Sequence, residues 1–310
     1  MKITIVIPVY KGARTIENLC AQLIGELKDY DLEIVLVNDG SPDNSDAVCA
    51  GLSRKHKGIL KYICLAKNFG EHNAVMAGLN HATGGYAVII DDDFQNPPEE
   101  IRKVVAHAVA GAYDVVYTYY DKKYHSPFRN LGSKFNDIVA NYLLDKPRDL
   151  YLSSFKCMNK FLVNEVIKYK GPFPYIDGLI LRSTRNIGKV LVRHSKRAEG
   201  RSGYTARKLI RLWLNMFVNF SVYPLRISTF FGFLFSIFGA AASVYLVIDK
   251  IIHPAVPVGV TSILVAVLVL SGLQLIMLGL IGEYLGKQFL MNNQTPQFVI
   301  RSISANGKEG

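Results

Sequence analysis

Two uncharged apolar stretches near the C-terminus constrain this chain more than any other feature. Residues 227–248 read ISTFFGFLFSIFGAAASVYLVI and carry no charge, and neither do residues 254–282, which include SILVAVLVLSGLQLIMLGLIG. At about 1.5 Å per residue, a helix of either length reaches across a hydrocarbon core of about 30 Å. The alternative is a buried helical hairpin in a water-soluble domain, where uncharged runs of this length are rare. Two crossings put both chain ends on one side of a membrane. Arg207, Lys208, Arg211 and Arg226 precede the first run, and Lys287 and Arg301 follow the second, whereas the DKIIHP connection holds one Lys and one Asp. By the positive-inside rule the long N-terminal portion is cytoplasmic. The net charge of +11 suits an anionic membrane face, and no nucleic-acid-binding motif accompanies it. Gly232, Gly239, Gly272, Gly279 and Gly282 would permit close contact with a second copy, although small residues are common in membrane helices generally.

The first 120 residues have a different pattern. KITIVIPV, LEIVLVND, LKYICLA, YAVIID and YDVVYTYY are apolar, β-rich runs, and TIENLCAQLIGELKDY and EHNAVMAGLNHAT between them have helical spacing. Continuous apolar strands alternating with helices predict a mostly parallel sheet covered on both faces. Ligands of such sheets bind beyond the C-terminal strand ends. Three of those ends carry polar motifs: PVYKG, NDGSPDNS and DDDFQ. The MKITIVIPVYKG terminus is therefore a first strand rather than a signal peptide. A dinucleotide-binding dehydrogenase needs GxGxxG after that strand, and PVYKGART stands there instead. Cys20, Cys49, Cys64 and Cys157 form no CxxC pair and are expected as reduced core thiols. FRNLGSKFNDIVANYLL and TARKLIRLWLNMFVNF, the second holding the only tryptophan, Trp213, mix basic and apolar residues at helical spacing. They suit the membrane interface or ordinary packing on the sheet. The tail SISANGKEG is expected to be disordered.

The acidic triplet Asp91, Asp92, Asp93 directly follows an apolar strand, where like charges repel and are poorly solvated. Asp91 and Asp93, followed by Gln95, are hard oxygen donors suited to Mg²⁺ or Mn²⁺, and a solvated acidic turn is the alternative. An EF-hand is excluded, since no Gly stands at the sixth loop position and Arg102 holds the twelfth. Asn38 and Asp39 end the second strand, where a carboxylate could accept hydrogen bonds from a nucleobase or ribose. The same residues also make an ordinary turn and helix cap. His72 is expected in a cap or packing role.

IVIPVYKG, VNDGSPDNS, KNFGEHNAVMAGLNHATGGY and IIDDDFQNPPEE, in this order, resemble family 2 glycosyltransferases of GT-A fold. Together with the two C-terminal runs and IGEYLGK, they resemble its polyprenyl-phosphate branch, and the bacterial subgroup in particular. The resemblance implies a GT-A, Rossmann-like α/β catalytic domain over 1–204, with an interfacial helix near 128–144. An interfacial amphipathic helix over 205–226, transmembrane helices over 227–249 and 257–282, and a cytoplasmic tail over 283–310 follow. It implies inverting, metal-dependent transfer from a nucleotide sugar, a UDP-sugar by expectation, to undecaprenyl phosphate at the bacterial inner membrane, for cell-envelope glycan modification.

Carried over by residue, Pro8, Tyr10, Asp39 and Lys67 would line the nucleoside pocket. Asp91, Asp93 and Gln95 would hold Mg²⁺ or Mn²⁺ on the donor diphosphate. Arg129 and Ser133 would bind the acceptor phosphate, and Arg197, Ser202 and Tyr204 would close on the phosphates. Asp177 stands where many inverting relatives place a base, with an acceptor-orienting role as the alternative. The chain departs from the pattern after the fifth strand, where VVYTYYDKK leaves Lys122 or Lys123 to supply a basic contact, and at Asp92, where relatives often have a small residue. A processive synthase would need QxxRW and more membrane spans, and neither is present. A catalytically silent nucleotide-binding membrane module is the other alternative, disfavoured by the intact Asp91, Asp93 and Gln95.

Overall fold

The strands form where the sequence is apolar on both faces. In the computed structural model, which describes residues 1–120, 147, 150–195, 223–253, 259–305 and 308–309, β1 (Lys2–Val9) pairs in parallel with β2 (Asp31–Asn38) and with β4 (Tyr86–Ile89). β2 pairs in parallel with β3 (Leu60–Leu65). Beyond β4 the sheet continues through β6 (Lys156–Asn159), antiparallel to both β4 and β5 (Val115–Tyr119), and β5 is parallel to β7 (Ile187–Leu191). The part of the sheet formed by β3, β2, β1 and β4 is parallel, as the strand–helix alternation predicts, and β6 makes the sheet as a whole mixed.

Alternate residues of β2 show how both faces are buried. Ile34 and Leu36 join a cluster with Ile3, Ile5, Ile7 and Val9. Helices α1 (Ile16–Glu26), α2 (Ser45–Lys55) and α4 (Glu100–Ala110) cover that face through Leu19, Leu23, Leu52, Ile101 and Val105. Val35 and Val37 point the other way, into a cluster with Ile63, Leu65 and the Ala74 and Ala77 of α3 (Glu71–Asn80). Burying each such aliphatic side chain contributes about 1.5–3 kcal/mol. Gly78 lets α3 approach closely, since a Cβ there would lie 2.4 Å from Val6 Cγ1. All four cysteines are buried and free.

The tail departs from expectation. Ile300–Ala305 is not disordered but forms β8, antiparallel to β3, with β9 (Lys308–Glu309) beyond it. Its polar composition hid the reason: β3 would otherwise present an open edge. Phe298 and Ile300 pack on the second cluster, buried Ser304 bonds Ser53 (2.8 Å), and Gln297 donates to the carbonyl of Gly171 (3.0 Å).

The chain divides into two compact units, Met1–Ala206 with Gln294–Gly310, and Arg207–Asn293. The second contains α7 (Tyr223–Ile252) and α8 (Val260–Asn292), both longer than the apolar runs that predict them. Among the described residues, no helix is long and apolar enough to cross a membrane. Of the two uncharged runs that suggest crossing, only residues 254–258 of the second lie outside that set. α5 (Lys160–Val166) and α6 (Ile176–Ser183) complete the first unit's described helices. The stretches 128–144 and 205–222 lie outside the described residues.

Deleting residues 294–310 should uncover the β3 edge and lower the melting temperature of the sheet unit by about 5 °C or more. Unchanged melting would contradict a structural role for β8.

Candidate functional site

The turn between β1 and α1 is held by three consecutive backbone N–H groups. Lys11 donates to Ser41 Oγ (3.1 Å), Gly12 to Ser45 Oγ (3.1 Å) and Ala13 to Asp43 Oδ2 (3.2 Å). NDGSPDNS is thus a clamp on the neighbouring turn as well as the start of α2. Asn38 Oδ1 accepts from the Ser41 N–H (2.9 Å), and Ser45 donates to Asp43 Oδ1 (2.6 Å). Burial raises the Asp43 pKa, but the hydrogen bonds from Ser45 and Ala13 outweigh it and hold the carboxyl low. Pro8 is half-buried at the end of β1, while Tyr10 is exposed with the Lys11 ammonium 5.6 Å from its ring centroid.

Asp39 is buried, and its two oxygens accept the N–H groups of Phe69 (2.7 Å) and Gly70 (2.9 Å). Burial pushes its carboxyl up, against those two hydrogen bonds. Its first role is therefore to fasten the β3–α3 loop beside the β2–α2 loop, with lone pairs left for a further donor. Gly40 is required there: its φ is +60°, and a Cβ would lie 2.5 Å from the Lys67 carbonyl carbon. Lys67 is exposed, its ammonium 5.1 Å from the Phe69 ring centroid.

At the end of β4, Asp91 accepts from Ser154 Oγ (2.6 Å), and Asp93 Oδ1 accepts the Gln95 N–H (3.1 Å). Burial raises the Asp91 carboxyl to about 7, with Glu71 and Asp93 adding to the rise and Ser154 and Lys156 opposing it. Crowded carboxylates with hard oxygens fit a divalent cation, which would remove the repulsion that the structure records. Among the described residues, no group of three or more His, Cys, Asp or Glu could hold a metal. Two carboxylates completed by substrate oxygens and water is the donor set that Mg²⁺ ordinarily takes.

Asp92 faces elsewhere. It acts electrostatically on Cys49 alongside Asp46 and Asp43, and a Cβ on Gly12 would lie 2.1 Å from its Oδ2. The middle carboxylate thus points to the β1–α1 turn.

Sequence reasoning missed a buried cation beneath the acidic motif. Lys156, on β6, is 4% exposed and donates to Asp177 Oδ1, which also accepts from Tyr117 Oη (2.8 Å). Burial and the Asp177 charge together raise the Tyr117 pKa well above its ordinary value, keeping the phenol protonated. His72 packs edge-on to Tyr175 (5.4 Å), in the packing role expected of it, and burial lowers its pKa to about 4. The first lysine of SSFKCMNK, set between Phe155 and Cys157, was the available signal for Lys156.

Two segments singled out for the acceptor start beside the acidic motif. Tyr120 donates to Asn96 Oδ1 (2.8 Å) and stacks on His194 (4.2 Å), and the Ser195 N–H donates to the Gln95 carbonyl (2.9 Å). Arg129, Ser133, Lys122 and Lys123 follow the first of these anchors. Arg197, Ser202 and Tyr204 follow the second. All seven lie outside the described residues.

This arrangement agrees with what the chain resembles in sequence and fold. A family model described as Glycosyl transferase family 2 matches residues 4–168. A Pseudomonas fluorescens protein named undecaprenyl-phosphate 4-deoxy-4-formamido-L-arabinose transferase is 31% identical, over 97% of this chain and 90% of that protein. An Enterobacter protein of the same name is 30% identical, over 99% and 94%. In fold, the crystal structure of Mycobacterium tuberculosis glucosyl-3-phosphoglycerate synthase with Mn²⁺, UDP and phosphoglyceric acid superposes with a TM-score of 0.52 at 17% identity, covering 69% of this chain and 78% of that one. The same enzyme with Mg²⁺ and UDP gives 0.51. The chain belongs to glycosyl transferase family 2, and it is a glycosyltransferase of GT-A-like fold. The family resemblance carried by its motifs is borne out.

Because metal ligation needs the carboxylate, divalent-cation affinity should fall as pH drops from about 8 to about 6 through the Asp91 pKa, with proton release on binding. Calorimetric titration with Mn²⁺ would show this, and Asp91→Asn should remove it. Affinity independent of pH across that interval would contradict the donor set.

Proposed function

We propose that this protein transfers a sugar from a UDP-sugar to undecaprenyl phosphate at the cytoplasmic face of a bacterial inner membrane, inverting the anomeric centre. The observation that carries the reading is the meeting of the acidic end of β4 with the β1–α1 turn, beside the points where both acceptor segments begin. The names of its full-length relatives support the acceptor, and the UDP complexes of its structural neighbour support the donor.

In this reading the nucleoside lies over Pro8, Tyr10, Asp39 and Lys67. Asp91 and Asp93, with Gln95, hold the cation, which would stabilise the departing diphosphate. Arg129 and Ser133 bind the acceptor phosphate, and Arg197, Ser202 and Tyr204 close over the phosphates. A lipid phosphate is already ionised at neutral pH, so positioning matters more than a strong general base. Asp177 is engaged by Lys156 and by the Tyr117 hydroxyl, which favours an orienting role for it. α7 and α8 would cross the membrane, with the stretches near 128–144 and 205–226 at its interface. Exposed Phe230, Phe233, Phe238, Tyr245, Ile251 and Ile276 on these helices support a lipid environment.

The test is a panel of nucleotide sugars offered with Mg²⁺ or Mn²⁺ and undecaprenyl phosphate, scored by the mass of the lipid product. One donor should give a glycosylated lipid phosphate, and no product from any donor would refute the reading. Arg129→Ala should abolish transfer while leaving metal-dependent UDP binding intact. Lost UDP binding with normal lipid binding would overturn the assignment of Arg129 to the acceptor.

A further inference from the structure

The middle residue of the triplet has no part in the scheme above. Its placement beside Gly12 gives it one. A β-carbon on Gly12 would lie 2.1 Å from Asp92 Oδ2, 3.2 Å from Asp92 Cγ and 3.0 Å from Val9 Cγ1. No side chain fits there while the carboxylate stays in place. The Gly12 carbonyl accepts from the N–H groups of Thr15 (3.1 Å) and Ile16 (3.0 Å), so this glycine begins the turn into α1.

On its other side the same turn is gripped by Ser41, Ser45 and Asp43. It is thus held from two directions, by the β2–α2 loop and by the end of β4. Both sides of the Asp92–Gly12 contact carry a non-glycine residue in the left-handed region, Lys11 at φ 61° and Phe94 at φ 59°. Such residues cost of order 1 kcal/mol or more and persist where surrounding contacts over-determine them. The three carboxylates lie past the end of β4, where the chain turns, and they do not share one environment. Asp91 feels Glu71, Asp93 and Lys156, while Asp92 joins Asp43 and Asp46 near Cys49.

We propose that Asp92 is a positioning residue that locks the β1–α1 turn to the metal-binding end of β4. It ligates no metal; it fixes the distance between the surface that receives the nucleoside and the carboxylates that receive the diphosphate. The proposal rests on the donor reading above for its functional half and on geometry alone for the contact.

Two experiments on the full-length protein in detergent separate these halves. The first is a melting cycle. Gly12→Ala should lower the melting temperature by about 3–8 °C, because its methyl meets the carboxylate. Adding Asp92→Ala should recover most of that loss, giving strong non-additivity. Additive losses would overturn the contact, whatever the protein binds. The second measures UDP binding with saturating Mn²⁺, and Mn²⁺ binding alone. Asp92→Ala should weaken UDP about tenfold while leaving Mn²⁺ affinity within about twofold. Asp92→Asn, which keeps the shape, should restore most UDP binding. Loss of Mn²⁺ binding in Asp92→Ala would make Asp92 a ligand and overturn the proposal, as would unchanged UDP affinity. An unsubstituted protein that binds no UDP would overturn the donor reading and, with it, the functional half. Should Gly12→Ala fail to fold, recovery of folding in the double variant counts as the predicted rescue, and its absence overturns the contact.

Discussion

The parallel alignment of β4, β1, β2 and β3 is the constraint on which the site depends. It places the loops after all four strands at one end of the sheet, so that segments up to about 80 residues apart in sequence meet there. The strands can run parallel because both faces are apolar and covered, α3 lying on one and α1, α2 and α4 on the other. The loops then determine one another. Ser41, Asp43 and Ser45 hold the first turn, Asp39 holds the loop after β3, and Gly40 admits the backbone of Lys67 and Asn68.

Charge balance is the second constraint. Glu71, Asp91 and Asp93 are crowded at the end of β4, and burial makes that crowding costly. Lys156 lies close by, but it is engaged with Asp177. A buried pair of this kind is a weak source of net stability, yet removing one partner would leave an uncompensated charge and cost about 3–5 kcal/mol. The remaining negative charge at Asp91 and Asp93 is what a divalent ion would neutralise.

Much of this was legible in the sequence, for identifiable reasons. β1 to β5 declared themselves as apolar, β-rich runs, and the polar motifs at three of their ends marked the site. Asp91 and Asp93 were visible as a pair because hard donors recur one residue apart. Lys156 was not, because a lysine in a four-residue strand resembles a loop until β4 and β5 bury it. β8 was hidden because its partner lies more than 230 residues earlier, and no local pattern encodes pairing at that separation. Asp92 could not be told from its neighbours until the turn at Gly12 showed which way it points. The two strained loop residues, Lys11 and Phe94, left no signal in composition at all.

The central claim is that the acidic end of β4 and the β1–α1 turn form one site for a metal-bound nucleoside diphosphate. The most direct test is UDP binding to the full-length protein, measured by calorimetry with Mn²⁺ and then with a chelator, for the unsubstituted chain and for Asp91→Asn. UDP should bind only with Mn²⁺, and Asp91→Asn should lose that binding while keeping its fold. Equal UDP affinity with and without the metal, unchanged by Asp91→Asn, would contradict the account.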